Sequence, residues 1–387
     1  MPEGAASAQQ LLQAGKLEQA LQSAEQELAD NPRDVDTLYC KAVAQRYLGR
    51  QTDALRTLED LKAINSHYAR AFQEAGHNHK KLGDLDSARD DYQRAVGLNR
   101  ALIASWRELI AIYEKQDARQ AYAAAKSEYD RLTILPPELV TVTSLIQENK
   151  LYRAERLCRD FLQKTPHHIE AMRLLATLGM RLFVYDDAEF LLESCVELQP
   201  DYWLARLDYV KVLHKRQKFE KALEQATILR KRFPGNHVFD LTFANQSVAI
   251  GHFDEALQVY DKVIATHPDF EQTFVSRGHA LKTIGRLDEG IESYRAAYRV
   301  REDYGDAYWS LANLKTYRFT DEEIAQMRTQ IDRPETPADD RFHLCFALGK
   351  GLEDRDQYEE SFACYVKGNE LRRSGLRYDP DRLPLAM

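Results

Sequence analysis

A small residue returns every 34 positions through most of this chain, and that beat limits the possible folds more than any other feature. Ala20, Ala54 and Ala88 form one series; Ala154, Ala188, Ala222, Ala256 and Gly290 form a second. The 66 residues between Ala88 and Ala154 fit one extra unit about two residues short, with Ala121 as its expected marker. Pro32, Pro166, Pro200, Pro234 and Pro268 each follow a marker by twelve residues. Proline lacks the N–H and cannot continue a helix, so it closes the second helix of a pair. Gly15, Gly49, Gly83, Gly251 and Gly285 each precede a marker by five residues, where glycine allows a tight turn between helices. Ala42, Gly76, Ala176, Ala244, Gly278 and Ala312 keep the same beat on the preceding helix. Small side chains at both places let the paired helices approach closely. Large residues fill the space between them: Phe72, Trp106, Phe274 and Tyr308 on first helices, and Tyr92, Tyr260 and Tyr294 on second helices.

A period of 34 with these residue types resembles the tetratricopeptide repeat. The expected fold is all-α, a right-handed superhelical solenoid of about eleven helix-turn-helix repeats. The expected units are 1–34, 35–68, 69–102, 103–134, 135–168, 169–202, 203–236, 237–270, 271–304, 305–341 and 342–375, followed by a tail, 376–387. Ile110, Val142 and Val210 depart from the pattern where a small residue is expected, and Arg206 and Asp240 where an aromatic is expected. The last two units are degenerate. One holds TDEEIAQMRTQIDRPETPADD after Phe319, with Thr320 as a helix N-cap; the other carries Ser361 at the marker.

Chemistry-bearing motifs are missing from the sequence. There is no GxxxxGK[ST] loop, no GxGxxG after a strand, no HExxH and no GxSxG. The fragment ALGKGLED around Lys350 falls by phase on a first helix, not in a phosphate loop. His67, His77 and His79, and the adjacent His167 and His168, read as surface histidines, because Arg70, Lys80 and Lys81 would repel a metal cation. No cofactor and no metal is expected. The formal net charge of −8 argues against non-specific nucleic-acid binding. The five cysteines are far apart and form no CxxC pair, as expected of reduced thiols in the cytoplasm. The first residues, MPEGAASAQQLLQAG, lack the basic and apolar regions of a signal peptide, and no apolar run approaches a membrane span.

What remains is binding. In this geometry the first helix of each unit lines a groove, with positions 2, 5, 9 and 12 of the unit facing into it. The candidate partner-binding residues are Arg173, Lys211, His214, Asn245, His279, Lys282, Trp309 and Asn313. They suit an extended peptide or protein segment that contributes acidic groups. A basic stretch, Lys211 to Lys221 with Arg230, Lys231 and Arg232, reads either as a solvated helical face or as a contact for the same acidic segment.

The segments GHALKTIGRLDEGIESYRAAY (278–298), YWSLANLKTYRF (308–319) and RFHLCFALGKGLEDRDQYEESFACYVKGNELRR (341–373) resemble bacterial proteins in which a tetratricopeptide array precedes a sulfotransferase domain. That resemblance implies a bacterial, cytoplasmic array that brings a substrate or partner to an enzyme. The phosphate-binding string such enzymes use, like PRSGT after a strand, is missing here, so no catalytic residue is carried over and the chain is expected to be non-catalytic. Two alternatives stand beside this reading: a stand-alone assembly factor for envelope, pilus or polysaccharide machinery, and sulfotransferase activity in the chain itself.

Overall fold

A computed structural model describes residues 7–375, and every regular element among them is an α-helix. The expected tail, 376–387, lies outside the described residues. The chain divides after Gln199 into two compact units.

The first unit holds α1 (Ala8–Gln13), α2 (Leu17–Asp30), α3 (Val35–Tyr47), α4 (Gln51–Ile64), α5 (Ala69–Leu82), α6 (Leu85–Leu98), α7 (Ile103–Lys115), α8 (Arg119–Thr133), α9 (Pro137–Gln147), α10 (Leu151–Lys164), α11 (Ile169–Arg181) and α12 (Tyr185–Leu198). The second holds α13 (Trp203–Lys215), α14 (Phe219–Arg232), α15 (His237–Ala249), α16 (Phe253–Thr266), α17 (Glu271–Thr283), α18 (Leu287–Val300), α19 (Gly305–Ala312), α20 (Asp321–Asp332), α21 (Ala338–Glu353) and α22 (Tyr358–Gly375). Odd-numbered helices are the first of each pair and even-numbered ones the second.

The beat of small residues becomes a seam of close packing. Ala20, Ala54, Ala88, Ala154, Ala188, Ala222 and Ala256 are all buried at the fourth position of a second helix. Where the facing residue is glycine, a tyrosine ring fills the space. A Cβ on Gly278 would stand 2.5 Å from the Tyr294 ring, and one on Gly76 would stand 2.7 Å from Tyr92. The prolines lie two residues past the ends of α2, α10, α12, α14 and α16. The turn glycines adopt φ between +71° and +87°, the left-handed region that glycine enters at little cost.

One marker has to be corrected. Ala121 is only half-buried, and Ala125, one turn later, is the buried alanine of α8, packed with Tyr92, Leu109 and Ile112. The two missing residues belong to α9, which has 11 residues where the other first helices of this unit from α3 onward have 13 or 14. The shortage thus falls after α8, so the residue 34 places after Ala88 is Tyr122, the fourth of α8, and no alanine stands at the marker of this unit.

The sequence departures also find physical accounts. Val142 and Val210 are buried where a small residue was expected. Arg206 is buried too, with its guanidinium donating to Gln225 and to the Pro200 carbonyl. Asp240 pairs with Arg230 at 2.8 Å. The degenerate stretch is built around Glu323. Its carboxylate caps its own helix with Thr320, accepts hydrogen bonds from the Tyr298 and Tyr317 hydroxyls at 2.8 and 2.5 Å, and faces Arg295 at 3.6 Å. Tyr298 in turn stacks on Tyr308, with centroids 4.6 Å apart. α21 begins at Ala338, four residues before the expected boundary between 341 and 342.

Candidate functional site

Within the second unit, residues at matching places on successive first helices form parallel rows. One row reads Leu207, Leu241, Val275, Trp309 and Phe346, apolar throughout and aromatic at its far end, with Val275 buried and the other four half-buried. The row beside it reads Lys211, Asn245, His279, Asn313 and Lys350, all able to donate a hydrogen bond. Contacts join neighbouring first helices across this face. His214 Nδ1 and Gln246 Oε1 are 2.9 Å apart between α13 and α15. Between α19 and α21, Trp309 lies parallel to His343, centroids 6.1 Å apart, and meets Phe346 at 5.6 Å.

Two members of the polar row are fixed from below. The Tyr260 hydroxyl donates to Asn245 Oδ1 at 2.6 Å, which leaves the amide nitrogen of Asn245 as the group presented to a ligand. The Tyr294 hydroxyl meets His279 Nδ1 at 2.9 Å, so the other ring nitrogen is presented. Both tyrosines are buried, while Asn245 and His279 are exposed. Desolvation on the covered side of the His279 ring lowers its pKa, Asp306 opposes that shift and Lys282 adds to it, so the imidazole is neutral at neutral pH. The first unit repeats the device once: His77 Nδ1 lies 2.7 Å from the Tyr92 hydroxyl, and desolvation lowers the His77 pKa to about 4.

The expected site residues do not all share this face equally. Arg173 lies in the first unit, on α11, where its guanidinium grips the Glu170 carboxylate at 2.8 and 2.9 Å. Lys211 is exposed but paired with Asp208 at 3.0 Å. His214 also packs edge-on against Phe219. Lys282 and Asn313 are exposed, and Trp309 is half-buried between α19 and α21. Lys211, Arg230 and Arg232 each pair with an acid, and Arg230 also lies over the Phe243 ring.

Three of the five histidines read as surface residues are tied down: His79 to Asp91 at 2.7 Å, His77 to Tyr92, and His168 as an N-cap accepting from the Ala171 N–H at 3.3 Å. Among the described residues no three His, Cys, Asp or Glu side chains converge to hold a metal. No helix among them is long and apolar enough to cross a membrane. Lys350 lies on α21, as its phase required, and pairs with Asp354.

Sequence reasoning missed His343 and Phe346, which extend the aromatic end of the row, and the supporting tyrosines. A signal for the latter was present: Gly76-His77, Ala244-Asn245 and Gly278-His279 are each followed by a tyrosine fifteen residues after the polar residue.

Family models described as tetratricopeptide repeat match residues 6–69, 69–102 and 272–304. The chain therefore contains tetratricopeptide repeats, which generally mediate protein or peptide binding and are typically non-catalytic. An uncharacterized protein of Aquifex aeolicus (strain VF5) is 25% identical over 316 residues, covering 77% of this chain and 36% of that protein. The chain thus spans about a third of the length of that relative. Among solved structures, MamA is similar over 42% of this chain and 94% of its own, with 19% identity and a TM-score of 0.38. YrrB, described as a TPR protein with an unusual peptide-binding site, is similar over 44% of this chain and 88% of its own, with 18% identity and a TM-score of 0.38.

Proposed function

We propose that this array of tetratricopeptide repeats is a non-catalytic scaffold that holds an extended protein segment along the first-helix face of α13, α15, α17, α19 and α21. The observation that carries this reading is the pair Asn245 and His279, one repeat apart, each locked by a buried tyrosine hydroxyl beside a continuous apolar row. Packed helices lie roughly 10 Å apart, and an extended chain rises about 3.3 Å per residue. Donors one repeat apart therefore meet every third residue of an extended peptide, where each can take a backbone carbonyl. Trp309 and Phe346 offer a surface for an apolar or aromatic side chain at one end. Lys282 favours acidic groups on the partner, in a chain whose net charge is −8. Arg173 and Lys211 fall outside this proposal, because Glu170 and Asp208 already engage them.

The resemblance of residues 278–298, 308–319 and 341–373 to sulfotransferase-linked arrays favours a cytoplasmic role in presenting that segment to such an enzyme. A stand-alone assembly factor would use the same face.

The test is selection of peptides from a displayed library on the full chain, followed by titration of those peptides against variants. The triple variant Asn245→Ala/His279→Ala/Trp309→Ala is expected to lose at least tenfold in affinity, since each lost hydrogen bond contributes about 1 kcal/mol. The helical signal should be unchanged. Affinity should fall with added salt if acidic groups take part. Peptides that bind the triple variant as tightly as the parent would exclude this face.

A further inference from the structure

The turn between α11 and α12 is made unlike the others. Elsewhere the left-handed position after a first helix is held by glycine, or by Asp117, Asn149, Gln217, Lys315 and Asp356, none of them aromatic. Here it is Phe183, at φ +63° and 78% exposed. A bulky aromatic is strained in this region, and no burial offsets the strain. Beside it opens a cavity of about 280 Å³ whose apolar walls are Leu175, Leu178, Leu182, Val184, Phe190 and Leu191. Phe183 does not line that cavity, although Leu182 and Val184 on either side of it do. Phe190 is itself 69% exposed. Exposed apolar surface gathered around a preformed cavity marks an interaction site.

We propose that this surface joins two copies of the chain about a two-fold axis, with Phe183 of each copy entering the cavity of the other. A projecting ring directly beside an apolar hole is self-complementary, and only a two-fold lets both knobs and both holes be used at once. Glu155, Arg159 and Asp187 also line the cavity, but Arg159 is already held by Glu155 at 2.8 Å, so the apolar walls and the Phe183 ring carry the contact between copies. The cavity is ample for one aromatic side chain. The strained turn is then accounted for, since a glycine there would relax the backbone but present nothing.

Sedimentation velocity on the full chain tests this. The chain should shift from monomer to dimer as its concentration rises to about 100 µM, where a micromolar association is saturated. Phe183→Gly and Phe183→Asn place in the turn residues that suit its backbone, so both should fold, melt no lower than the parent and remain monomeric over the same range. Val184→Arg, which narrows the cavity without touching the knob, should weaken dimerisation at least tenfold. A parent chain that stays monomeric at about 100 µM, a Phe183→Gly variant that dimerises like the parent, or growth into open-ended oligomers would each overturn the proposal.

Discussion

Glu323→Ala is expected to destabilise the C-terminal helix pairs by about 3–5 kcal/mol, the usual cost of removing one partner from a buried charged network. The carboxylate is buried, and it alone accepts from both the Tyr298 and Tyr317 hydroxyls while closing the capping box of α20. Alanine would leave two buried hydroxyls and Arg295 facing an apolar gap. Glu323→Gln keeps an acceptor in place and should cost roughly half as much. Repeat arrays unfold in a distributed way, so the loss should appear as an early separate transition in urea or thermal unfolding, with the rest of the array melting later. A single unshifted transition would show that these tyrosines find other partners.

Gly305→Ala should be nearly as damaging, at about 3 kcal/mol, toward the upper end of what overpacking costs. A Cβ there would collide with the backbone carbonyl of Asp340, and backbone cannot swing aside as a side chain can. The same glycine N–H donates to the Asp340 carboxylate at 3.0 Å, and that carboxylate also pairs with Arg301 at 2.8 Å, so any retreat of α19 breaks a buried connection to α21. Gly97→Ala is the control. Nothing lies within 4 Å of its added Cβ, and replacing a helical glycine by alanine should raise stability by about 0.5–1 kcal/mol. Equal melting curves for the two variants would mean that the α19–α21 contact is looser than described.

Period-34 spacing carried most of this architecture, because each marker acts locally. An alanine at the fourth position of a second helix has one job, and seven of them do it in the same way. Reading failed where a position depends on length elsewhere. Ala121 stands 33 residues from both Ala88 and Ala154, but the two missing residues are lost from α9, so the marker position of α8 is Tyr122 and Ala121 is only half-buried. The site was legible in part for a related reason. Position within the repeat tells which side chains lie on the first-helix face, hence Asn245, His279 and Trp309. It does not tell which of them are already engaged. Arg173 and Lys211 looked like free cations in the sequence, yet each has an acid three residues earlier on its own helix, Glu170 and Asp208, which is the spacing at which helical neighbours meet. The hydroxyls beneath Asn245 and His279 come from the paired helix, and only the folded pair shows that they reach.

The central claim is that an extended segment lies along the first-helix face of the second unit. Photo-cross-linking from a selected peptide, carrying a photoreactive group at each position in turn, tests it most directly. The account predicts adducts on Leu207, Leu241, Trp309 and Phe346, the half-buried members of the apolar row, advancing by one repeat for about every three peptide residues. Adducts confined to the second helices α14, α16 and α18, or scattered without order along the chain, would contradict it.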